Sequence, residues 1–107
     1  MMIRRVTLLI LLAAVVASAQ VSVDRITKSA AEPGNWLTYS GNYNGNRYST
    51  LTQITPDNVR NLELQWVFQA RSLEKFEATP LVVDGIMYTV QAPNDVVALD
   101  PVTGRVF

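Results

Sequence analysis

The chain contains no cysteine and no histidine in 107 residues. Without them, these residues cannot supply a zinc site, a Cys–His nucleophile or a c-type haem attachment. Charge of one sign is also missing: nine basic and nine acidic side chains cancel. No basic excess points to nucleic acid or to an anionic membrane surface. Long apolar runs are missing too, with one exception at the N-terminus. Val6 to Val16 is apolar apart from Thr7; it follows Arg4 and Arg5 and precedes Ala17-Ser18-Ala19. Eleven residues fall short of the ~20 needed to span a bilayer. A basic start, a short apolar core and an A-x-A site predict a cleavable secretory signal over 1–19, with periplasmic delivery, in preference to an uncleaved anchor. Removing it takes away two arginines and no acid, which leaves 88 residues with seven basic and nine acidic side chains. Exported domains of that size usually need disulfides to fold alone. A cysteine-free chain is therefore expected to lean on structure outside itself.

Residues 20–33 are polar without a clear period and read as a mobile N-terminal arm. Residues 34–61 read as a loop followed by a short helix. Asn, Gly and Ser dominate Gly34 to Ser49, which is turn chemistry, yet Trp36, Tyr39, Tyr43 and Tyr48 carry too much aromatic surface for a free loop. The helix is expected to start with Thr55 as N-cap and Pro56 in the first turn, and to stop at Asn61.

From Leu62 the apolar period becomes two. Leu62, Leu64, Trp66 and Phe68 alternate with Glu63, Gln65 and Gln69, predicting a half-buried strand whose aromatic residues belong to a core. Further strands are expected at Thr79–Val83, Ile86–Val90 and Val96–Asp100. Asp84-Gly85 forms the first hairpin turn and Pro93-Asn94-Asp95 the second. Four short antiparallel strands over 62–107 match one blade of a β-propeller, which exposes two faces it cannot bury alone.

Several polar groups invite a chemical reading. Asn42-Tyr43-Asn44-Gly45-Asn46 lacks the strand-to-helix context and the spacing of a phosphate loop, so it reads as an ordered surface loop. Glu74 and Glu77, with Lys75 between them, read as solvated charges. Asp100, three residues before Thr103-Gly104, reads as a turn-capping carboxylate.

Ala98, Asp100, Thr103 and Gly104 stand at the spacing A-x-D-x-x-T-G-x-x-x-W, and this resembles the tryptophan-docking motif of quinoprotein β-propellers. The motif's Trp would fall just after Phe107, so the chain reads as the front end of a longer protein. The resemblance extends over Asn35 to Phe107, 73 of the 107 residues. Trp36 to Gly41 with Gly45 to Leu51, Gln53 to Trp66, and Glu77 to Tyr88 are similar to the N-terminal region of pyrroloquinoline quinone (PQQ)-dependent alcohol dehydrogenases. Thr50 departs from the family's usual Pro, which alters loop stiffness alone.

This resemblance implies an all-β fold: the N-terminal segment and first blade, truncated, of an eight-bladed quinoprotein propeller. It implies PQQ and a calcium or lanthanide ion as cofactors, a primary alcohol (or a related aldehyde or sugar) as substrate, and a cytochrome-type electron acceptor. No nucleic acid is implied, and the rest of the propeller is needed for folding. The catalytic and metal-binding residues are expected beyond Phe107. One role carries over: Glu77, directly before Ala78-Thr79-Pro80, stands where the family has an acidic residue contacting the cofactor's edge. The competing function is a non-enzymatic propeller scaffold of the outer-membrane assembly type, which shares the docking repeats but lacks the Trp36 to Leu51 opening. A self-contained secreted module that binds through its aromatic loop is a third.

Overall fold

The computed structural model describes residues 21–107. The signal-peptide reading of 1–19 lies outside the described residues. Three strands form one antiparallel sheet in the order β1 (Leu81–Val83), β2 (Ile86–Gln91) and β3 (Asp95–Leu99). Asp84 and Gly85 turn β1 into β2 with φ of 50° and 80°. Positive φ at both central positions is the turn geometry that matches the twist of flanking strands, and Asp and Gly tolerate it best. The register follows, with Val83 opposite Ile86 and Leu81 opposite Tyr88. β1 begins at Leu81 and not at the expected Thr79. Pro80 has no N–H to give a ladder, so pairing starts after it.

The expected strand at Leu62–Phe68 is not formed among the described residues. The backbone there belongs to no ladder, Leu62 and Leu64 are exposed, and Trp66 and Phe68 are half-buried. A period of two marks a segment ready to pair, but the partner's backbone makes it a strand. Instead, the sheet is extended at its edges by isolated bridges. Trp36 exchanges backbone hydrogen bonds of 2.8 and 3.1 Å with Val82, and Val106 pairs with Leu99.

The docking motif folds as a closed turn. The Asp100 carboxylate accepts from the Val102 N–H at 2.9 Å and from the Thr103 hydroxyl at 2.7 Å. These two contacts, Thr103 foremost, hold the Asp100 carboxyl below its ordinary range. Gly104 has φ of 71°, and its N–H returns to the Asp100 carbonyl at 2.8 Å. Asp100 is thus the turn cap that its spacing indicated. Against this turn lies Trp66, whose indole N–H donates to the Pro101 carbonyl at 3.0 Å. Its ring covers Gly104 so closely that a Cβ there would sit 2.5 Å from the ring.

Alternation along the strands puts Val82, Met87, Thr89, Val97 and Leu99 on one face of the sheet. The chain from Trp66 to Phe76 lies over this face around a cavity of about 670 Å³, bordered by Phe68, Met87, Thr89 and Leu99. Leu99, at 2% exposure, is the centre of this small core. The other face is open: Val90 is 45% exposed and Val96 71%. Leaving that much contiguous apolar area in water is unfavourable.

Two elements ahead of the sheet differ from the sequence reading. Residues 20–33 were expected to be a mobile arm. The structure has a short helix, α1 (Val23–Thr27), and a 3₁₀ turn over Ser29–Ala31. Ser22 caps α1 by accepting from the Arg25 N–H. The second difference is the helix after Thr55, which is reduced to turns ending in the 3₁₀ segment Val59–Asn61. Thr55 does not act as the cap. Its own N–H donates to the Asn58 side chain at 2.7 Å, and the Asn58 amide returns to the Gln53 carbonyl at 2.8 Å. This side-chain bonding competes with helix propagation.

Candidate functional site

Glu77 lies in the irregular stretch Ser72–Pro80 that leads into β1. Its side chain is 77% exposed, and among the described residues the Lys75 ammonium lies at 3.9 Å. An ion pair that long and that exposed contributes little, so the carboxylate is available to a ligand. Glu74 is not brought beside it as a partner. The Glu74 N–H instead accepts the bridging role of a local turn, donating to the Ser72 hydroxyl at 3.0 Å. Among the described residues, no three His, Cys, Asp or Glu side chains converge as a metal site would require. Glu77 is thus an exposed carboxylate with a single lysine at the edge of ion-pair distance among the described residues.

The aromatic opening is tied to β1, just beyond this stretch. Trp36 is anchored on Val82, and its ring packs over Gly41, where a Cβ would lie 2.9 Å from the ring. Gly41 has φ of 82°, so it is required both for the turn and for the close approach. The indole N–H donates to the Tyr39 carbonyl at 3.4 Å. The Arg47 guanidinium stacks over the Tyr39 ring at 4.8 Å. Arg47, in first place, and Thr79, in second, make polar contacts that lower the Tyr39 phenol below its ordinary value. Beyond this, the Asn42–Asn46 segment is the ordered loop expected of it. The Asn42 amide donates to the Asn46 side chain at 3.1 Å, and the Asn44 N–H donates to Asn42 at 3.0 Å.

Sequence reasoning missed a charged clasp behind the turn of the first hairpin. Arg25 binds Glu32 at 2.6 Å and Asp84 at 2.6 Å. The Asn35 amide donates to Glu32 at 2.7 Å, and its carbonyl oxygen accepts from the Asp84 N–H at 2.9 Å. The Arg25 guanidinium holds the carboxyls of Glu32 and Asp84 below their ordinary range, and they raise its own pKa in turn. Arg25 and Asp84 stand 59 positions apart. No local pattern signals such a contact, and Asp84 carried only its turn signature.

Comparison with known proteins gives a consistent result. Residues 36–107 match the family model of the PQQ glucose/ethanol/alcohol dehydrogenase beta-propeller domain. The 1-butanol dehydrogenase (cytochrome c) of Thauera butanivorans is 50% identical over 80 residues, which cover 74% of this chain and 11% of that protein. The lanthanide-dependent methanol dehydrogenase of Methylacidiphilum fumariolicum is 45% identical over 78 residues, 72% of this chain and 13% of that one. Among solved structures, the quinohemoprotein alcohol dehydrogenase ADHIIG of Pseudomonas putida HK5 superposes with a TM-score of 0.79 at 43% identity, covering 82% of this chain and 13% of its own. The chain thus spans 11 to 13% of the length of these relatives.

Proposed function

The chain belongs to the PQQ-dependent alcohol dehydrogenase β-propeller family, and from that membership we propose that it serves as the N-terminal part of an exported quinoprotein that oxidises primary alcohols. The observation that carries this reading is the match over residues 36–107, which includes the aromatic opening as well as the docking turn. A scaffold propeller requires only the docking turn. The relatives that share the opening are named as alcohol and methanol dehydrogenases.

In the complete protein, Glu77 is the residue of this chain that meets the cofactor. Its exposure and its distant lysine are what a carboxylate needs if a ligand is to displace water from it. Bound PQQ would supply two-electron acceptance from the alcohol, with calcium or a lanthanide as Lewis acid. The chain's own residues do three things: Glu77 accepts a hydrogen bond at the cofactor's edge, the Trp36 to Arg47 loop braces the strand entry, and the sheet carries both. The open face at Val90 and Val96 is where the remainder of an eight-bladed propeller would pack. Electrons would pass to a cytochrome-type acceptor, as the name of the Thauera relative says of that enzyme. The signal-like residues 1–19 support delivery to the periplasm.

The test is reconstitution. The full-length protein, freed of cofactor, is titrated with PQQ in the presence of calcium or lanthanum, and dye-linked oxidation of 1-butanol and methanol is followed. Activity that requires PQQ supports the proposal. A folded protein that neither binds PQQ nor oxidises any primary alcohol is a scaffold.

A further inference from the structure

A cavity of about 250 Å³ lies apart from the sheet, between the arm that follows α1 and the Asn-rich loop. No residue of β1, β2 or β3 borders it, and neither does any residue of the Ser72–Pro80 stretch that carries Glu77. It has room for one small ring; sites for drug-sized ligands are larger, ~300–1,000 Å³.

Both walls are fixed by contacts of their own. Pro33 and Asn35 stand on the arm wall. The charged clasp holds that wall, since Arg25 binds Glu32 and Asp84 at 2.6 Å each. The Asn35 carboxamide spans the same two residues, donating to Glu32 at 2.7 Å and accepting from the Asp84 N–H at 2.9 Å. Asn42, Asn44 and Asn46 stand on the loop wall. The Asn46 side-chain oxygen accepts from the Asn42 amide at 3.1 Å and from the Tyr48 N–H at 3.3 Å. The Asn42 oxygen accepts from the Asn44 N–H at 3.0 Å. These bonds occupy side-chain oxygens and set the planes of two carboxamides. Amide hydrogens of Asn42 and Asn46 are left over, as is the whole Asn44 carboxamide, among the described residues. Trp36 borders the cavity between the walls, with its backbone on Val82 and its ring against Gly41.

The chemistry of this lining is narrow. No charged side chain borders the cavity, so an ion would meet no countercharge there. A wholly apolar ligand would strand the carboxamides without partners, which is costly. Carboxamides and hydroxyls both donate and accept, and Trp36 and Tyr48 add flat apolar surface. A ring that carries several hydroxyl groups answers both features, because its O–H groups donate and accept while its C–H faces are apolar. We propose that this cavity is a binding site for a neutral single-ring polyol, separate from the alcohol-oxidising site and independent of the role of Glu77. Walls already ordered lose little freedom when such a ring enters.

The test uses the cofactor-loaded full-length protein, titrated with myo-inositol and followed by saturation-transfer NMR. This ring has no primary hydroxyl, so it is no substrate for the oxidation of primary alcohols. Saturable binding in the millimolar range is expected. Asn44→Leu and Tyr48→Leu should each weaken it about 3–10-fold, the worth of one neutral hydrogen bond or one ring contact. Both positions are exposed, so the thermal midpoint should not move. Weakening by either variant at an unchanged midpoint, with 1-butanol unable to displace the inositol, supports the site. Displacement by 1-butanol would place the inositol in the oxidising site and overturn the proposal. A response that never saturates, or binding unchanged in both variants, would overturn it as well.

Discussion

Replacing Gly104 with alanine should be among the most damaging single-methyl additions to this chain. Two costs coincide there. The residue has φ of 71°, and an L side chain in the left-handed region costs ~1–2 kcal/mol. The added Cβ would also lie 2.5 and 2.6 Å from atoms of the Trp66 ring. Relieving that overlap means moving the indole, and overpacking of this kind costs ~1–3 kcal/mol. The shift would also endanger the 3.0 Å hydrogen bond from the indole to Pro101. The alanine lowers the entropy of the unfolded chain, which returns ~0.4–1 kcal/mol, so the net loss should be about 1–4.5 kcal/mol. Gly85→Ala is the control. Its φ is 80°, but nothing lies within 4 Å of the new methyl, so only the conformational cost applies. Urea denaturation of the full-length protein, followed by indole fluorescence, should give a clearly lower midpoint for Gly104→Ala than for Gly85→Ala. Adding Trp66→Leu should shrink the difference, because the clashing ring is gone. Equal midpoints for the two alanine variants, or a difference that survives Trp66→Leu, would refute the reasoning.

Other outcomes follow from the same contacts. Gly41→Ala should cost about 1–4.5 kcal/mol for the same reasons, since its φ is 82° and its Cβ would lie 2.9 Å from the Trp36 ring; thermal unfolding checks it. Thr89→Val should be neutral or stabilising by up to about 1 kcal/mol, because the Thr89 hydroxyl is buried without a hydrogen-bond partner among the described residues. A clear loss of stability in the same assay would contradict this. The Arg25 clasp should respond to acid. The folded pKa values of Glu32 and Asp84 are lowered, so their contribution is present above the ordinary carboxylate range and is lost as pH falls through the folded values. Limited proteolysis should therefore find α1 protected at neutral pH and cut at low pH. Arg25→Met should remove that protection at neutral pH as well, and α1 remaining protected in that variant would contradict the clasp.

Turn chemistry was the part of the fold most legible from residues alone. Asp84-Gly85 and the Asp100 to Gly104 turn are local: each is determined by two to five neighbouring residues, and each formed where the residues indicated. The hairpin joining β1 and β2 follows from the first turn, and the return of the chain from β3, which pairs Val106 with Leu99, follows from the second. Pairing between distant segments was not legible in the same way. Leu62–Phe68 has a strand's period but no ladder among the described residues. Trp36 pairs with Val82 across 46 positions, and no periodicity announces such a bridge. The arm at 20–33 looked unstructured because five helical residues are too few to show a period, and its anchor, Asp84, lies in the far hairpin. For the candidate site, the residue pattern pointed to Glu77 through resemblance alone. The contacts of the neighbouring loop, such as Arg47 over the Tyr39 ring, are a matter of contact geometry that spacing does not encode.

The central claim is that this chain is the opening of a PQQ enzyme and that Glu77 is its contact with the cofactor. The most direct measurement is the PQQ affinity of the full-length protein with Glu77 and with Glu77→Gln, at matched thermal stability. Gln keeps an acceptor but not the charge, so replacing a charge-assisted hydrogen bond by a neutral one should cost about 1–1.5 kcal/mol, a weakening of roughly 5- to 13-fold, with alcohol oxidation recovered at saturating PQQ. Saturable PQQ binding that is indifferent to Glu77→Gln would contradict the site, and no PQQ binding by the folded full-length protein would contradict the function.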